Sequence, residues 1–291
     1  MKAYKTIHDL PREKRIKAAL GRLIAAANPK LAAKVRAKPF TQPLKHHERL
    51  LRNARQHQAI AEQDHETLHQ FLFDYWSSPF SQEFFTRFAD RFEKLFLKHH
   101  LEIVSILSDE IVHCNEAKIP HLVELGCGDG KVLNFLSENL KQLSQFTGLD
   151  LSKEEIANCV DRFPENKKLI FLAEDIFPWF EQQEHGPHIL FTNGGVLEYF
   201  TREQVISLFN LVKNRSSNSW IALTETIATD HYLESEPESF PYGREMAFSH
   251  NYPALLEECG FSIIWTNDRF TQPEEENYPN RWFQIVAKHK S

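Results

Sequence analysis

Apolar side chains recur every three to four positions through the first 115 residues, a period that predicts amphipathic helices. In the first of these helices, Leu20, Leu23 and Ile24 are expected on the packing face, and Asn28 followed by Pro29 predicts a break. The N-terminal third is therefore predicted to be helical. The expected helices cover residues 10–37, 44–72, 81–99 and 101–115.

The pattern changes after Pro120, where short apolar segments alternate with stretches of helical or loop character. Such alternation predicts parallel strands joined by crossover helices. The last two apolar segments, residues 261–266 and 281–287, are joined by a charged loop without a helical pattern, which favours an antiparallel pair. The first five predicted strands are HLVEL, FTGLD, LIFLA, HILFT and WIALT.

These patterns divide the chain into two regions. Residues 1–100 are expected to form a helical cap, and residues 101–291 a doubly wound α/β domain. Residues 226–252 follow the fifth predicted strand and are too long for a plain connection. We expect this segment to act as a lid or as a wall of a substrate pocket.

Composition restricts the class of protein. With 291 residues, 42% of them hydrophobic and 25% charged, the chain fits a globular protein and excludes collagen-like and low-complexity classes. It contains no apolar run near 18 residues and no N-terminal apolar signal segment, which predicts a cytoplasmic protein without a membrane span. The four cysteines lack metal-binding spacing, so no metal site is expected.

Charge is distributed unevenly. Residues 1–60 contain 15 of the 34 Lys and Arg residues but only three of the 40 acids. This basic arm either packs on the acidic body of its own chain or binds nucleic acid, an anionic surface or an acidic protein.

The segment VELGCGDGK at residues 123–131 is the strongest local signal. A predicted strand enters a glycine-rich turn, and a predicted helix follows. Gly126 and Gly128 allow a tight turn and a close approach of backbone N–H groups to a ligand. Lys131 stands where a dinucleotide motif has its third glycine, and Glu124 would repel a pyrophosphate. The motif instead suits a ligand with a cationic or amino group.

Two further acids follow the next two predicted strands. Asp150 ends the second strand, where a carboxylate can accept hydrogen bonds from both ribose hydroxyls. Asp175 ends the third strand, where it can accept a hydrogen bond from an adenine amino group, with Leu151 and Ile176 on the two ring faces. Together with the glycine turn, these acids predict an adenosine site.

These motifs resemble those of the class I S-adenosylmethionine-dependent methyltransferases. Their pattern [DE]xGxGxG is matched by residues 124–130, including Cys127, and their ribose and adenine acids match Asp150 and Asp175. Asn193 lies at the tip of the fourth strand, in a region that also resembles the family. The resemblance implies a Rossmann-like, mostly parallel sheet of seven strands with an antiparallel last strand, and S-adenosyl-L-methionine as cofactor.

Substrate residues are predicted from their position and chemistry. His250, in the long segment after the fifth strand, is the candidate general base because imidazole titrates near neutral pH. An aromatic side chain before the first strand can face the sulfonium, since an aromatic face attracts a cation. The candidates for contact with the acceptor are Tyr75, Trp76, Tyr242, Arg244 and Tyr252.

The sequence thus predicts methyl transfer to an oxygen or nitrogen of a small molecule. Two alternatives remain open at this point. One is an RNA or protein methyltransferase that uses the basic arm to bind its substrate. The other is a nucleoside-binding partner protein without turnover.

Overall fold

Helices make up the N-terminal part of the chain. The computed structural model describes residues 1–6, 8–36, 44–112, 121–183, 188–215, 218–271 and 280–290. The first helix ends at Ala27 and the second begins at Pro29, which confirms the predicted break. The N-terminal helices are α1 (Arg12–Ala27), α2 (Pro29–Arg36), α3 (His46–Glu62), α4 (His65–Trp76), α5 (Ser81–Arg87), a π-helical segment (Phe92–His100) and α6 (Leu101–Val112).

The single helix expected over residues 44–72 was a wrong prediction. Gln63 adopts a left-handed conformation with φ of 55°, which ends α3. The carboxylate of Asp64 then accepts a hydrogen bond from Thr67 N at 3.0 Å and caps the start of α4. The Asp64 cap turns the chain into a second helix.

The helix expected over residues 81–99 is likewise divided. Its first part is α5, which ends at Arg87. A turn then precedes the π-helical segment, which continues into α6. The helix predicted over residues 101–115 ends at Val112, and residues 113–115 lie outside the described part of the chain.

A seven-stranded sheet forms the second part of the molecule. Its strands are β1 (His121–Leu125), β2 (Gln145–Leu149), β3 (Leu169–Leu172), β4 (Ile189–Asn193), β5 (Asn218–Ile227), β8 (Ser262–Phe270) and β9 (Arg281–Lys290). Their order is β3-β2-β1-β4-β5-β9-β8, and β1 to β5 are parallel to one another. The last strand, β9, runs antiparallel to both β5 and β8. The predicted doubly wound, Rossmann-like fold with an antiparallel last strand is confirmed.

Helices cover both faces of this sheet and form two apolar cores. On one face, Phe209 of α10 and Leu255 of α11 pack with Leu190 and Ile221 of the sheet. On the other, Phe96 and Leu107 pack with Phe146. Because the carboxyl ends of the parallel strands lie at the same end of the sheet, the loops that follow these strands meet there. The remaining helices are α7 (Lys131–Asn139), α8 (Lys153–Arg162), α9 (Ile176–Gln182), a 3-10 turn (Leu197–Tyr199), α10 (Arg202–Arg215) and α11 (Tyr252–Glu258).

The long segment after β5 contains a hairpin that the sequence pattern did not predict. Strands β6 (Phe240–Tyr242) and β7 (Ala247–Ser249) pair antiparallel. The N-terminus joins this hairpin through a bridge between Ala3 and Tyr242 and a hydrogen bond from Tyr4 N to the carbonyl of Pro241 at 2.6 Å. The segment expected to be a lid is therefore tied to the first residues of the chain.

The packing face of α1 differs from the prediction. Leu20 and Leu23 are exposed, whereas Ala18 and Gly21 are buried. Small residues allow α1 to lie close to α3, so the larger side chains point outward. Among the described residues, none of the helices combines the length and apolar character that crossing a bilayer requires.

Candidate functional site

The glycine motif forms a tight loop between β1 and α7. Gly126, Gly128 and Gly130 have positive φ angles of 68°, 49° and 72°, which favour glycine. The N–H groups of Gly126 and Cys127 both donate to the carbonyl of Leu149, at 2.8 and 3.1 Å. The loop is therefore fixed against the end of β2, and it lines a cavity of about 430 Å³.

Asp150 also contacts this loop. Its carboxylate accepts hydrogen bonds from Gly128 N at 3.0 Å and from Ser152 N at 2.8 Å. Burial raises the pKa of Asp150 above its ordinary value, and these two N–H donors oppose that rise. Asp150 and Leu151 both line the cavity.

Asp175 and Ile176 line the same cavity at the end of β3. One carboxylate oxygen of Asp175 accepts a hydrogen bond from Phe177 N at 2.9 Å and caps α9. Asp175, which the sequence predicts to bind adenine, thus has a structural role at the start of a helix. Its position on the cavity wall leaves it available to a ligand.

Glu124 is the most unusual acid of the site. It lines the cavity, its side chain is only 2% exposed, and its Oε2 has no hydrogen-bond partner within the described chain. Burial raises the pKa of Glu124 well above its ordinary value, and the nearby acids Asp129 and Asp150 raise it further. A buried carboxyl group with an unpaired oxygen favours a ligand that offers a cation or an N–H donor.

Asn193 and the loop after β4 form another wall of the cavity. Asn193 Oδ1 lies 2.8 Å from His100 Nδ1, and the guanidinium of Arg91 donates to the carbonyl of Gly194 at 2.7 Å. His100 and Arg91 belong to the helical region before the sheet. These two contacts attach that region to the edge of the sheet where the loops meet.

Aromatic side chains cover the remaining side. The ring of Phe85 lies 3.4 Å from the position that a Cβ of Gly128 would occupy, so Phe85 covers the glycine loop. Trp76 packs edge-on against Phe84, with ring centres 5.0 Å apart, and lies 5.1 Å from the ring of Tyr199. The cavity therefore has a polar wall formed by strand ends and an apolar wall formed by α4, α5 and the loop after β4. The aromatic lining residues are Phe73, Trp76, Phe84, Phe85, Phe88, Phe92, Tyr199 and Phe200.

His250 does not reach the cavity, which corrects its prediction as the general base. The side chain is fully buried and is not part of the cavity lining. Its Nδ1 lies 2.7 Å from Ser239 Oγ, and its Nε2 lies 3.0 Å from the carbonyl of Phe200. Burial lowers the pKa of His250 to about 3. Its hydrogen bonds and burial indicate a structural role.

The five predicted acceptor residues have different outcomes. Trp76 lines the cavity. Tyr75 does not line it and packs edge-on against the ring of Trp76, with ring centres 5.2 Å apart. Tyr242 and Tyr252 are buried in the interior, and Arg244 is exposed to solvent. None of the last four lines the cavity. The position of Tyr242, Arg244 and Tyr252 after the fifth strand could not show how residues 226–252 fold.

Two buried carboxyl groups lie behind the loop after β4. Glu225 accepts hydrogen bonds from Val196 N at 2.8 Å and Leu197 N at 3.0 Å, and it also accepts one from Thr192. Glu198 accepts hydrogen bonds from Tyr242 and Thr226. Burial raises the pKa of Glu225 to about 7 and that of Glu198 to about 8. These acids support the loop that presents Val196 and Tyr199 to the cavity.

Sequence reasoning missed the contribution of α5. Besides Phe85, its Gln82 lines the cavity and donates to Glu155 of α8 at 2.6 Å. The signal was present as closely spaced aromatics on a short helix, but the same pattern equally predicts a core helix. No group of three or more metal-ligating side chains occurs in the described ranges.

Neither a protein-family model nor a curated protein sequence matches the chain. Solved structures of methyltransferases show a similar fold. The N-methyltransferase NodS of Bradyrhizobium japonicum aligns with a TM-score of 0.49 and 10% identity, over 67% of this chain and 96% of that one. An S-adenosylmethionine-dependent methyltransferase of Clostridium acetobutylicum aligns with a TM-score of 0.48 and 14% identity, over 71% and 99%.

The magnesium protoporphyrin IX methyltransferase of Synechocystis, solved with bound S-adenosylmethionine, aligns with a TM-score of 0.42 and 16% identity, over 66% of this chain and 80% of that one. At these identities the likeness concerns the fold alone, and each TM-score lies below 0.5.

Proposed function

We propose that this chain is an S-adenosyl-L-methionine-dependent methyltransferase that moves a methyl group to a nucleophilic oxygen or nitrogen of a small molecule. The observation that supports this most directly is the convergence of Glu124, Asp150 and Asp175 with the glycine loop on one cavity. Glu124 lies in β1, Asp150 directly follows β2 and Asp175 lies three residues after β3, and these three strands are neighbours in the sheet.

The donors and acceptors on this wall fit the cofactor. In the proposed arrangement, Asp150 binds the ribose hydroxyls and Asp175 the adenine amino group. Leu151 and Ile176 pack on the ring. The unpaired Oε2 of Glu124 accepts a hydrogen bond from the amino group of the methionine part, which explains why one oxygen of a buried carboxyl group is left without a partner.

When bound, S-adenosyl-L-methionine supplies a methyl group activated by its attachment to a sulfonium. The residues of the chain then have two tasks, to hold the acceptor in line with that methyl group and to exclude water. The aromatic wall formed by Trp76, Phe84, Phe85 and Tyr199 suits both tasks, because it is apolar and attracts a cation. His250 lies outside the cavity. His69 lines it, but its Nδ1 lies 2.7 Å from the carbonyl of Tyr199 and its Nε2 lies 3.0 Å from Gln204 Nε2, so neither histidine is assigned as a base.

The helical region before the sheet serves as the cap in this proposal. Residues 1–100 close the cavity through α4, α5 and the contact of Arg91 with Gly194, and residues 101–291 form the catalytic domain. A cavity of about 430 Å³ with an aromatic wall favours a small acceptor over a macromolecule.

Turnover in fractionated acceptor pools tests this function. The protein would be incubated with methyl-labelled cofactor and separately with small-metabolite, RNA and protein pools, with Asp150→Ala as a matched inactive variant. We expect label in the small-metabolite pool and none with the variant. Label in RNA or protein would favour a macromolecular methyltransferase, and binding without any transfer would favour a nucleoside-binding partner protein.

A further inference from the structure

Helix α1 packs on the rest of the molecule through its smallest residues. Ala18 and Gly21 are buried, and a Cβ on Gly21 would lie 2.0 Å from the carbonyl oxygen of Leu50 in α3. This approach leaves no room for a side chain. The inward face of α1 is therefore determined by small residues.

The opposite face of α1 presents three large aliphatic side chains to solvent. Ile16, Leu20 and Leu23 are 51%, 47% and 68% exposed. Their spacing of four and three residues places them on one stripe along the helix. Single exposed aliphatic residues are ordinary, but three aligned on one helix form a contiguous apolar patch of the kind found at interaction surfaces.

Basic residues border this stripe. At 100° per residue, Arg15 and Arg22 lie along one side of it and Lys17 along the other, and all three are exposed. Arg12 is exposed at the start of the helix. The one acid of α1, Glu13, pairs with Lys17.

The positive surface continues beyond the helix. Lys30 and Lys34 of α2 are also exposed, so the described residues 12–35 contain seven Lys and Arg residues and a single acid. An aliphatic centre with basic borders matches the boundary between acyl chains and anionic headgroups, where such helices lie in the plane of the membrane. Nucleic acid would match the charge but would leave the aliphatic stripe exposed, and α1 contains no aromatic residue for base stacking.

We propose that α1 binds an anionic lipid surface, with Ile16, Leu20 and Leu23 inserted among the acyl chains and the flanking arginines at the headgroups. The basic arm is then a peripheral membrane-binding element. This inference does not depend on the methyltransferase proposal, because it rests on α1 alone.

Vesicle binding by the full chain tests it. Flotation would compare vesicles of phosphatidylcholine with vesicles that also contain phosphatidylglycerol. The double variant Leu20→Ser/Leu23→Ser removes the apolar stripe and keeps the charges. The matched control is Val160→Ser, which changes a side chain that is 53% exposed on α8. Thermal unfolding of each variant would show that it is folded.

We expect binding to the anionic vesicles only, with a loss of about tenfold or more in the double variant and no change in the control. Arg12→Gln/Arg15→Gln should reduce binding and its dependence on salt. The proposal is overturned if the wild type does not bind anionic vesicles, or if the double variant binds as well as the wild type.

Two other occupants of the stripe would also overturn it. If the wild type is a dimer in light scattering and the double variant a monomer, a second copy covers the stripe. If the protein binds RNA and not vesicles, and only the arginine variant loses RNA binding, the surface recognises negative charge without a role for the aliphatic stripe.

Discussion

The amide N–H of Gly128 donates to the carboxylate of Asp150 across 3.0 Å and joins the glycine loop to the end of the neighbouring strand. This contact fixes two parts of the proposed nucleoside site relative to one another. It also holds the Asp150 carboxylate in place before any ligand arrives. Preorganisation of this kind reduces the ordering cost of binding.

Glu124 should make cofactor binding dependent on pH. Its pKa is raised in the free protein by burial, so its carboxyl must lose a proton before it can pair with an amino group. Affinity for S-adenosylmethionine should therefore rise with pH, and Glu124→Gln should weaken binding about tenfold and reduce that dependence.

Calorimetric titrations in two buffers of different ionisation enthalpy would measure the released proton. Glu174→Gln is the control, since Glu174 lines the cavity at an exposed position. Equal proton release by the wild type and Glu124→Gln would contradict the assignment of Glu124.

Phe85 should contribute to cofactor affinity through its position over the glycine loop. Phe85→Ala removes the ring that lies beside Gly128 and opens that side of the cavity to water. We expect affinity for S-adenosylmethionine to fall by about tenfold, as for the loss of a large apolar contact. Phe80→Ala, at a neighbouring exposed phenylalanine outside the lining, should bind normally. Unchanged affinity in Phe85→Ala would show that α5 does not cover the ligand.

His250 should affect stability and leave the pH profile of turnover unchanged. His250→Ala leaves the hydroxyl of Ser239 and the carbonyl of Phe200 without their partner in a buried site. The free energy of unfolding should fall by about 2 to 4 kcal/mol. Denaturant unfolding and the pH dependence of kcat would be measured on the same preparation. Loss of the acidic limb of the profile, where a general base becomes protonated, in a folded variant would restore His250 as the base.

Glu225 should make the fold less stable as pH rises. Its carboxyl stays protonated in the folded protein up to about pH 7, whereas it ionises near 4.5 when unfolded. Between these values the unfolded state binds fewer protons, so the free energy of unfolding falls, by at most about 1.4 kcal/mol per pH unit.

Glu225→Gln removes this titration and should flatten the slope between pH 5 and 7. Urea unfolding at a series of pH values measures it. The control is Glu138→Gln, which changes an exposed glutamate of α7. A slope in Glu225→Gln equal to that of the wild type would mean that Glu225 is ionised in the folded protein.

The polar half of the candidate site was predictable because its residues lie at or close to the ends of strands. Glu124, Asp150, Asp175 and Asn193 lie within or just after short apolar segments, and parallel strands bring their ends to one edge. The sheet order and the antiparallel last strand followed from the same segments and one helix-free connection.

The acceptor half could not be predicted in this way. Whether Trp76 or Tyr75 faces the cavity depends on how α4 packs, and the burial of Tyr242 and His250 depends on a hairpin that pairs with the N-terminus. In α1, the apolar period was correct but the packing face was not, because Gly21 permits an approach that Leu20 would prevent. Contacts between distant segments determine these orientations.

Calorimetric titration of the wild type and Asp150→Ala with S-adenosylmethionine and its demethylated product tests the central claim most directly. We expect the wild type to bind both in the micromolar range and the variant to lose about 3 kcal/mol, or about a hundredfold in affinity, since Asp150 contacts both the loop and the ribose in the proposed site. An intact, folded wild type that binds neither compound, or a variant that binds as tightly as the wild type, would contradict the proposed cofactor site.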